Sequence, residues 1–145
     1  MHKSDKLSVL AIGLIIIGIF DTAYLSWVKL ADTQVFCGGA ANCESVNSSV
    51  YSEIFNIPIA YLGLVAYIFL AILFLLEKRA SIPKDISSLL RFATCLIGSL
   101  YSIYLTYIEI AVIRAICPYC ILSAILMILL LALAIIRGWS YLTEI

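Results

Sequence analysis

Residues 117–136 read CPYCILSAILMILLLALAII, twenty residues without a charge. At about 1.5 Å per residue, a helix of that length crosses about 30 Å of hydrocarbon. A second uncharged run of the same length, Ile57 to Leu76, lies upstream. Two more runs are long enough: Leu7 to about Leu30 around Asp21, and about Leu89 to Ile113, with Arg91 near its start and Glu109 near its end. None shows the period-two alternation that barrel strands require. The chain therefore reads as all-α, a single membrane domain over residues 1–145. It is an integral four-helix bundle with spans at about 7–30, 57–76, 89–113 and 117–136.

Composition supports this reading. Hydrophobic residues make up 64% of the chain and charged residues 12%, half the share of about 25% in a soluble domain. Mean hydropathy is +1.12. Too little polar surface remains to cover a water-soluble fold, and the apolar content excludes intrinsic disorder. Nine Lys and Arg balance nine Asp and Glu, so there is no basic face for nucleic acid. Lys3 and Lys6 before an apolar run resemble the start of a signal peptide. Asp21-Thr22-Ala23 makes a poor cleavage site, however, and the apolar character resumes after it. The first span is expected to stay.

Basic residues set the orientation. Lys3, Lys6, Lys78, Arg79, Lys84, Arg91 and Arg137 share one side of a four-span chain, and Lys29 and Arg114 the other. Both termini and the 77–91 connection are expected in the cytoplasm, in a cytoplasmic (inner) membrane. The 31–56 loop and the 113–117 turn then face outward. Trp27, Tyr104 and Tyr107 fall near the outer boundary, and Trp139 and Tyr141 near the inner one, as interfacial anchors do. The 31–56 loop is large for so short a chain and rich in small polar residues, which points to function.

This topology sorts the five cysteines. Cys37 and Cys43 lie in the outer loop, and Cys117 and Cys120 at the outward start of the last span. Cys95 precedes Cys117 by 22 residues, about 30 Å along a helix, and reads as a small buried apolar side chain. The two-residue spacing of Cys117-Pro118-Tyr119-Cys120 is that of a redox dithiol. Pro118 suits a first helical turn, residues three apart share a face, and a helix N-terminus favours a thiolate. The dithiol sits at the membrane edge, within reach of a lipid-soluble electron carrier. Two pairs on one oxidising face suggest a relay, in which a soluble thiol protein meets the loop pair, the loop pair exchanges with the helix pair, and the helix pair reduces a quinone. A static pair of disulfides and a four-thiolate zinc site are the alternatives by count. A non-catalytic membrane protein or small transporter with a disulfide-braced outer loop is the alternative in function, and a thiol-labelling experiment separates it, because a relay changes state in turnover.

Asp21, an acid inside the first span, is a functional candidate by its position. It could handle a proton for the quinone, pair with Lys29 or Arg114, or hydrogen-bond a neighbouring helix. Asn56 and Ser52, just before the second span, could donate to a quinone carbonyl. Tyr101, Tyr104 and Tyr107 read as belt or packing residues, and Glu109 as a membrane-edge acid without a special role.

In this order of motifs the chain resembles the vitamin K epoxide reductase family in its prokaryotic form. The residues are Cys37, then Cys43-Glu44-Ser45-Val46-Asn47-Ser48-Ser49, then Ile57-Pro58-Ile59-Ala60-Tyr61-Leu62-Gly63, then Cys117-Pro118-Tyr119-Cys120. The resemblance implies a four-helix bundle around a quinone, ubiquinone or menaquinone, near the outer surface. It implies that Cys37 meets a thioredoxin-like extracytoplasmic partner, Cys43 exchanges with Cys117, Cys120 passes electrons to the quinone, and Ser49 helps organise the site. Asn56 stands where a glycine is usual. Ala124 stands where animal members carry a tyrosine, which favours plain quinone reduction over epoxide reduction. A fused thioredoxin-like domain, common in bacterial relatives, is not expected, so the partner is expected to be a separate protein.

Overall fold

The structure, a computed structural model, describes residues 3–31, 53–54, 57–79, 81–113 and 118–144. Four helices dominate it: α1 (Lys3–Leu30), α2 (Ile59–Lys78), α3 (Lys84–Ile108) and α4 (Pro118–Glu144). All four are long and apolar enough to cross a membrane. A helix satisfies its own backbone polar groups, which hydrocarbon cannot do for it. Two short strands, β1 (Glu53–Ile54) and β2 (Ile57–Pro58), pair antiparallel and lead into α2.

The three prolines of the chain all mark helix starts. Pro58 and Pro83 cap α2 and α3 in extended conformation, with φ/ψ of −58°/136° and −61°/142°, and Pro118 opens α4. Proline lacks the N–H that a first turn leaves unpaired anyway. The α2–α3 connection is tight: Arg79 N–H donates to the Leu75 carbonyl at 3.1 Å, Ser81 N–H to Leu76 at 3.0 Å, and Ser87 N–H to Pro83 at 3.1 Å.

Helix bounds extend beyond the apolar runs. α3 starts at Lys84, five residues before Leu89, and α4 continues to Glu144, past Ile136. At its other end α3 passes into a π turn, Glu109–Ile113. Glu109, expected near the membrane edge without a special role, is 1% exposed.

The helices form a ring in which α1 packs on α2 and α4, and α3 on α2 and α4. Large side chains such as Val9, Phe20, Val65, Ile97 and Leu100 face outward. Asp21, Thr22, Ser26, Ser87, Arg91, Ser99 and Glu109 are buried. This polarity suits a lipid surround rather than water. The apolar centre includes Ile15, Tyr67, Leu70, Met127 and Leu130, and it holds Cys95 at 2% exposure, as expected for a small buried side chain. Close approach of α1 and α2 depends on Gly18, where a Cβ would overlap the Tyr67 ring.

Candidate functional site

One end of the bundle gathers the described part of the predicted site. Pro118, Tyr119 and Cys120 form the first turn of α4. Cys120 is half-buried and packs, with Tyr119, Tyr24 and Ala60, against buried Leu25 and Val28. The Tyr24 and Tyr119 rings lie 5.3 Å apart, tilted by 43°, within the range of favourable aromatic pairs. Elements α1, α2 and α4 thus build an apolar, aromatic wall beside a sulfur.

One helical turn inward the character changes. Asp21 is 7% exposed, and neither of its carboxylate oxygens has a hydrogen-bond partner among the described residues. A pairing with Lys29, one of the roles open to Asp21, is therefore not seen as a hydrogen bond, and Arg114 lies outside the described residues. Ser26 Oγ, a little over one turn further along α1, is likewise buried without a partner among them. Thr22, between them, satisfies itself by donating to the Gly18 carbonyl at 2.7 Å.

Tyr67 crosses the middle of the bundle from α2. Its hydroxyl lies 3.2 Å from both the Ser123 carbonyl, to which it donates, and the Ser123 Oγ on α4. Ser123 stands three residues after Cys120, on the same helical face. The sequence reading missed Tyr67, because a tyrosine within an apolar run carries no sign of a partner 56 residues away. It also missed the burial of Glu109. Ser99, Ser102, Thr106 and Glu109 recur at helical spacing, and that period was the available signal.

Of the predicted site residues, the structure brings Cys120 and Asp21 to the same end of the bundle. Cys37, Cys43, Ser49, Asn56 and Cys117 lie outside the described residues, as does Ser52.

Chemically, this end offers a half-buried thiol and two aromatic rings packed on one apolar cluster, with buried Asp21 and Ser26 oxygens of α1 that have no hydrogen-bond partner among the described residues. Orphaned polar atoms in an apolar interior suit a group that brings hydrogen-bonding oxygens into an apolar slot.

Comparison with known proteins bears on the same residues. The model of the vitamin K epoxide reductase family matches residues 9–135. The thiol-disulfide oxidoreductase LTO1 of Arabidopsis thaliana is 31% identical over 114 residues, covering 74% of this chain and 30% of that protein. The chain thus spans about three-tenths of the length of this curated relative. A match that runs from the first helix into the last, through the turn that carries Cys120, makes this chain a member of the vitamin K epoxide reductase family.

Proposed function

We propose that this chain is a membrane thiol oxidoreductase that moves electrons from a thioredoxin-like dithiol protein, through two cysteine pairs, to a quinone, and so supports disulfide bond formation. The observation that carries the reading is the seat of Cys120, in the first turn of α4, packed with Tyr24 and Tyr119 against Leu25 and Val28 of α1, the helix whose buried Asp21 has no hydrogen-bond partner among the described residues. Family membership and the similarity to a thiol-disulfide oxidoreductase of Arabidopsis support it.

In this reading the exchange runs in four displacements. A partner thiolate attacks Cys37 of the Cys37–Cys43 disulfide, and the partner's second thiol then closes the partner's own disulfide and frees Cys37. Next, Cys43 attacks Cys117 of the Cys117–Cys120 disulfide and releases Cys120 as thiolate. Cys37 resolves the resulting Cys43–Cys117 bond, leaving the helix pair reduced. When bound, a quinone accepts the two electrons and two protons that the dithiol gives up. Cys120, Asp21 and Ser26 are the described residues that would hold it, with Ser49 and Asn56 as further candidates from the loop. Asp21 keeps a protonatable oxygen inside the bundle, and Tyr67 and Ser123 close the floor against water. Among the basic residues, Arg91 and Arg137 lie at the end remote from Cys120, which supports a cytoplasmic placement of that end and of both termini.

Anaerobic mixing of the purified protein with a reduced thioredoxin-like dithiol and a soluble quinone tests this. Quinone absorbance should fall in step with disulfide formation in the partner. Unchanged absorbance, with the protein folded, sinks the proposal.

A further inference from the structure

The end of the bundle remote from Cys120 holds three charged side chains that the redox reading does not use. Glu77, at the end of α2, accepts from Arg91 Nη2 at 2.7 Å and from Arg137 Nη2 at 3.2 Å. Ser87 Oγ donates to the same carboxylate at 2.9 Å. One carboxylate therefore faces two guanidinium groups, and the cluster carries one net positive charge. The Arg91 side chain is 8% exposed and that of Arg137 17%. On each, Nη1 is buried and has no hydrogen-bond partner among the described residues. Buried charge is tolerated when it is compensated, and here one charge is left over. The Phe74 ring lies under both guanidinium carbons, at 4.5 and 5.4 Å. It stabilises the cations through its face but gives their free N–H groups no lone pair.

Both arginines line a cavity of about 20 Å³, together with Phe74, Ser88, Cys95 and aliphatic side chains. A water-sized group needs about 10–15 Å³ by this measure, so the space takes one oxygen. Guanidinium forks match the planar pairs of oxygens on oxyanions. Arg91 lies seven residues into α3, about 10 Å from its start, and Arg137 is near the end of the apolar part of α4. Exposed Lys78, Arg79 and Lys84 surround the same end, with Asp85 among them. Such basic surroundings concentrate anions at a membrane surface.

We propose that Arg91 and Arg137 form a binding site for one phosphate-type oxyanion, brought by a phospholipid headgroup or by free phosphate. One anionic oxygen enters the cavity, accepts from the two free Nη1 groups and neutralises the cluster. The site is separate from the cysteine chemistry, and its test does not depend on quinone reduction.

The test uses the full chain in a neutral maltoside detergent and a phosphate-free buffer. The thermal midpoint is measured with phosphatidylglycerol, with phosphatidylcholine and with inorganic phosphate. Phosphatidylglycerol should raise it by at least about 4 °C at saturation, and phosphatidylcholine, whose phosphate is offset by its own choline cation, should raise it much less. An equal rise with inorganic phosphate assigns the free anion, and a rise with the lipid alone assigns the headgroup. Arg137→Gln leaves one carboxylate with one guanidinium and should abolish the rise, whereas Glu77→Gln should enlarge it. Should the variants fail to fold, native mass spectrometry of the unaltered protein decides, by retention of phosphatidylglycerol over phosphatidylcholine. Equal responses to the two lipids and none to phosphate, or an undiminished rise in Arg137→Gln, would overturn the site in favour of a buried water.

Discussion

The Tyr67 hydroxyl lies 3.2 Å from both polar oxygens of Ser123, joining α2 to α4 across the diagonal of the bundle. The tyrosine is fully buried, at 0% exposure, so water does not compete for this contact. It sits between the Cys120 end and the charged end, where nothing else polar links these two helices among the described side-chain hydrogen bonds of the middle.

Removing the hydroxyl while keeping the ring isolates that contact. Tyr67→Phe should cost about 1 kcal/mol without changing the fold. Ser123→Ala combined with Tyr67→Phe should cost less than the sum of the two single changes. Thermal unfolding of the four proteins as a double-mutant cycle measures this, and simple additivity would show that the Ser123 hydroxyl contributes nothing to the contact.

The same ring makes Gly18 irreplaceable. Gly18→Ala puts a methyl into the Tyr67 ring and should destabilise by about 1–3 kcal/mol. Gly13, one and a half turns earlier on α1, has open space within 4 Å of the point where a methyl would stand. Gly13→Ala should be neutral or stabilise by up to about 1 kcal/mol. Similar midpoints for the two variants would contradict the close α1–α2 approach.

Glu77 should behave as a keystone of its end. Glu77→Gln leaves Arg91 and Arg137 buried against each other and should cost about 3–5 kcal/mol in the absence of added anions. Arg137→Gln preserves the 2.7 Å pair of Arg91 with Glu77 and should cost much less. Comparing their unfolding midpoints in a phosphate-free buffer checks the order, and a more damaging Arg137→Gln would reverse the argument.

The cysteines should separate by role. Cys120→Ala should stop quinone reduction, because Cys117 is left without a helix partner for its disulfide, while the loop pair should still exchange with the partner, readable by mass spectrometry. Cys43→Ala removes the disulfide that the partner thiolate attacks and should stop partner oxidation, leaving Cys37 as a free thiol readable by labelling. Cys95→Ala should retain most activity, since Cys95 belongs to the apolar core and not to the cluster around Cys120. Asp21→Asn should slow quinone reduction more than exchange between partner and loop. Equal loss in both half-reactions would remove Asp21 from the quinone step.

Much of the fold was legible because a bilayer imposes a simple rule on sequence. Twenty uncharged residues from Ile57 to Leu76 and again from Cys117 to Ile136 leave little choice but a helix. Asp21 was legible as a candidate for the same reason, an acid where lipid should be. What a linear reading could not do was pair distant charges. Glu77, Arg91 and Arg137 each looked like an end-of-span residue that sets orientation. Their meeting joins positions 60 residues apart, and only the ring of four helices makes them neighbours. The burial of Glu109 was not read from its position along the span, although its phase with Ser102 and Thr106 pointed inward.

The prolines at the three later helix starts carry a consequence for the surrounding lipid. A helix whose start rests only on burial can gain or lose a turn when the bilayer thins or thickens. Here the rings of Pro58, Pro83 and Pro118 clash with a helical conformation of the residue before each, which opposes extending the helix backwards. The starts of α2, α3 and α4 are therefore set by the chain itself. In a bilayer of different thickness the bundle must answer by leaning or by deforming the lipid around it, and Cys120 keeps its place in the first turn of α4 whatever membrane it occupies.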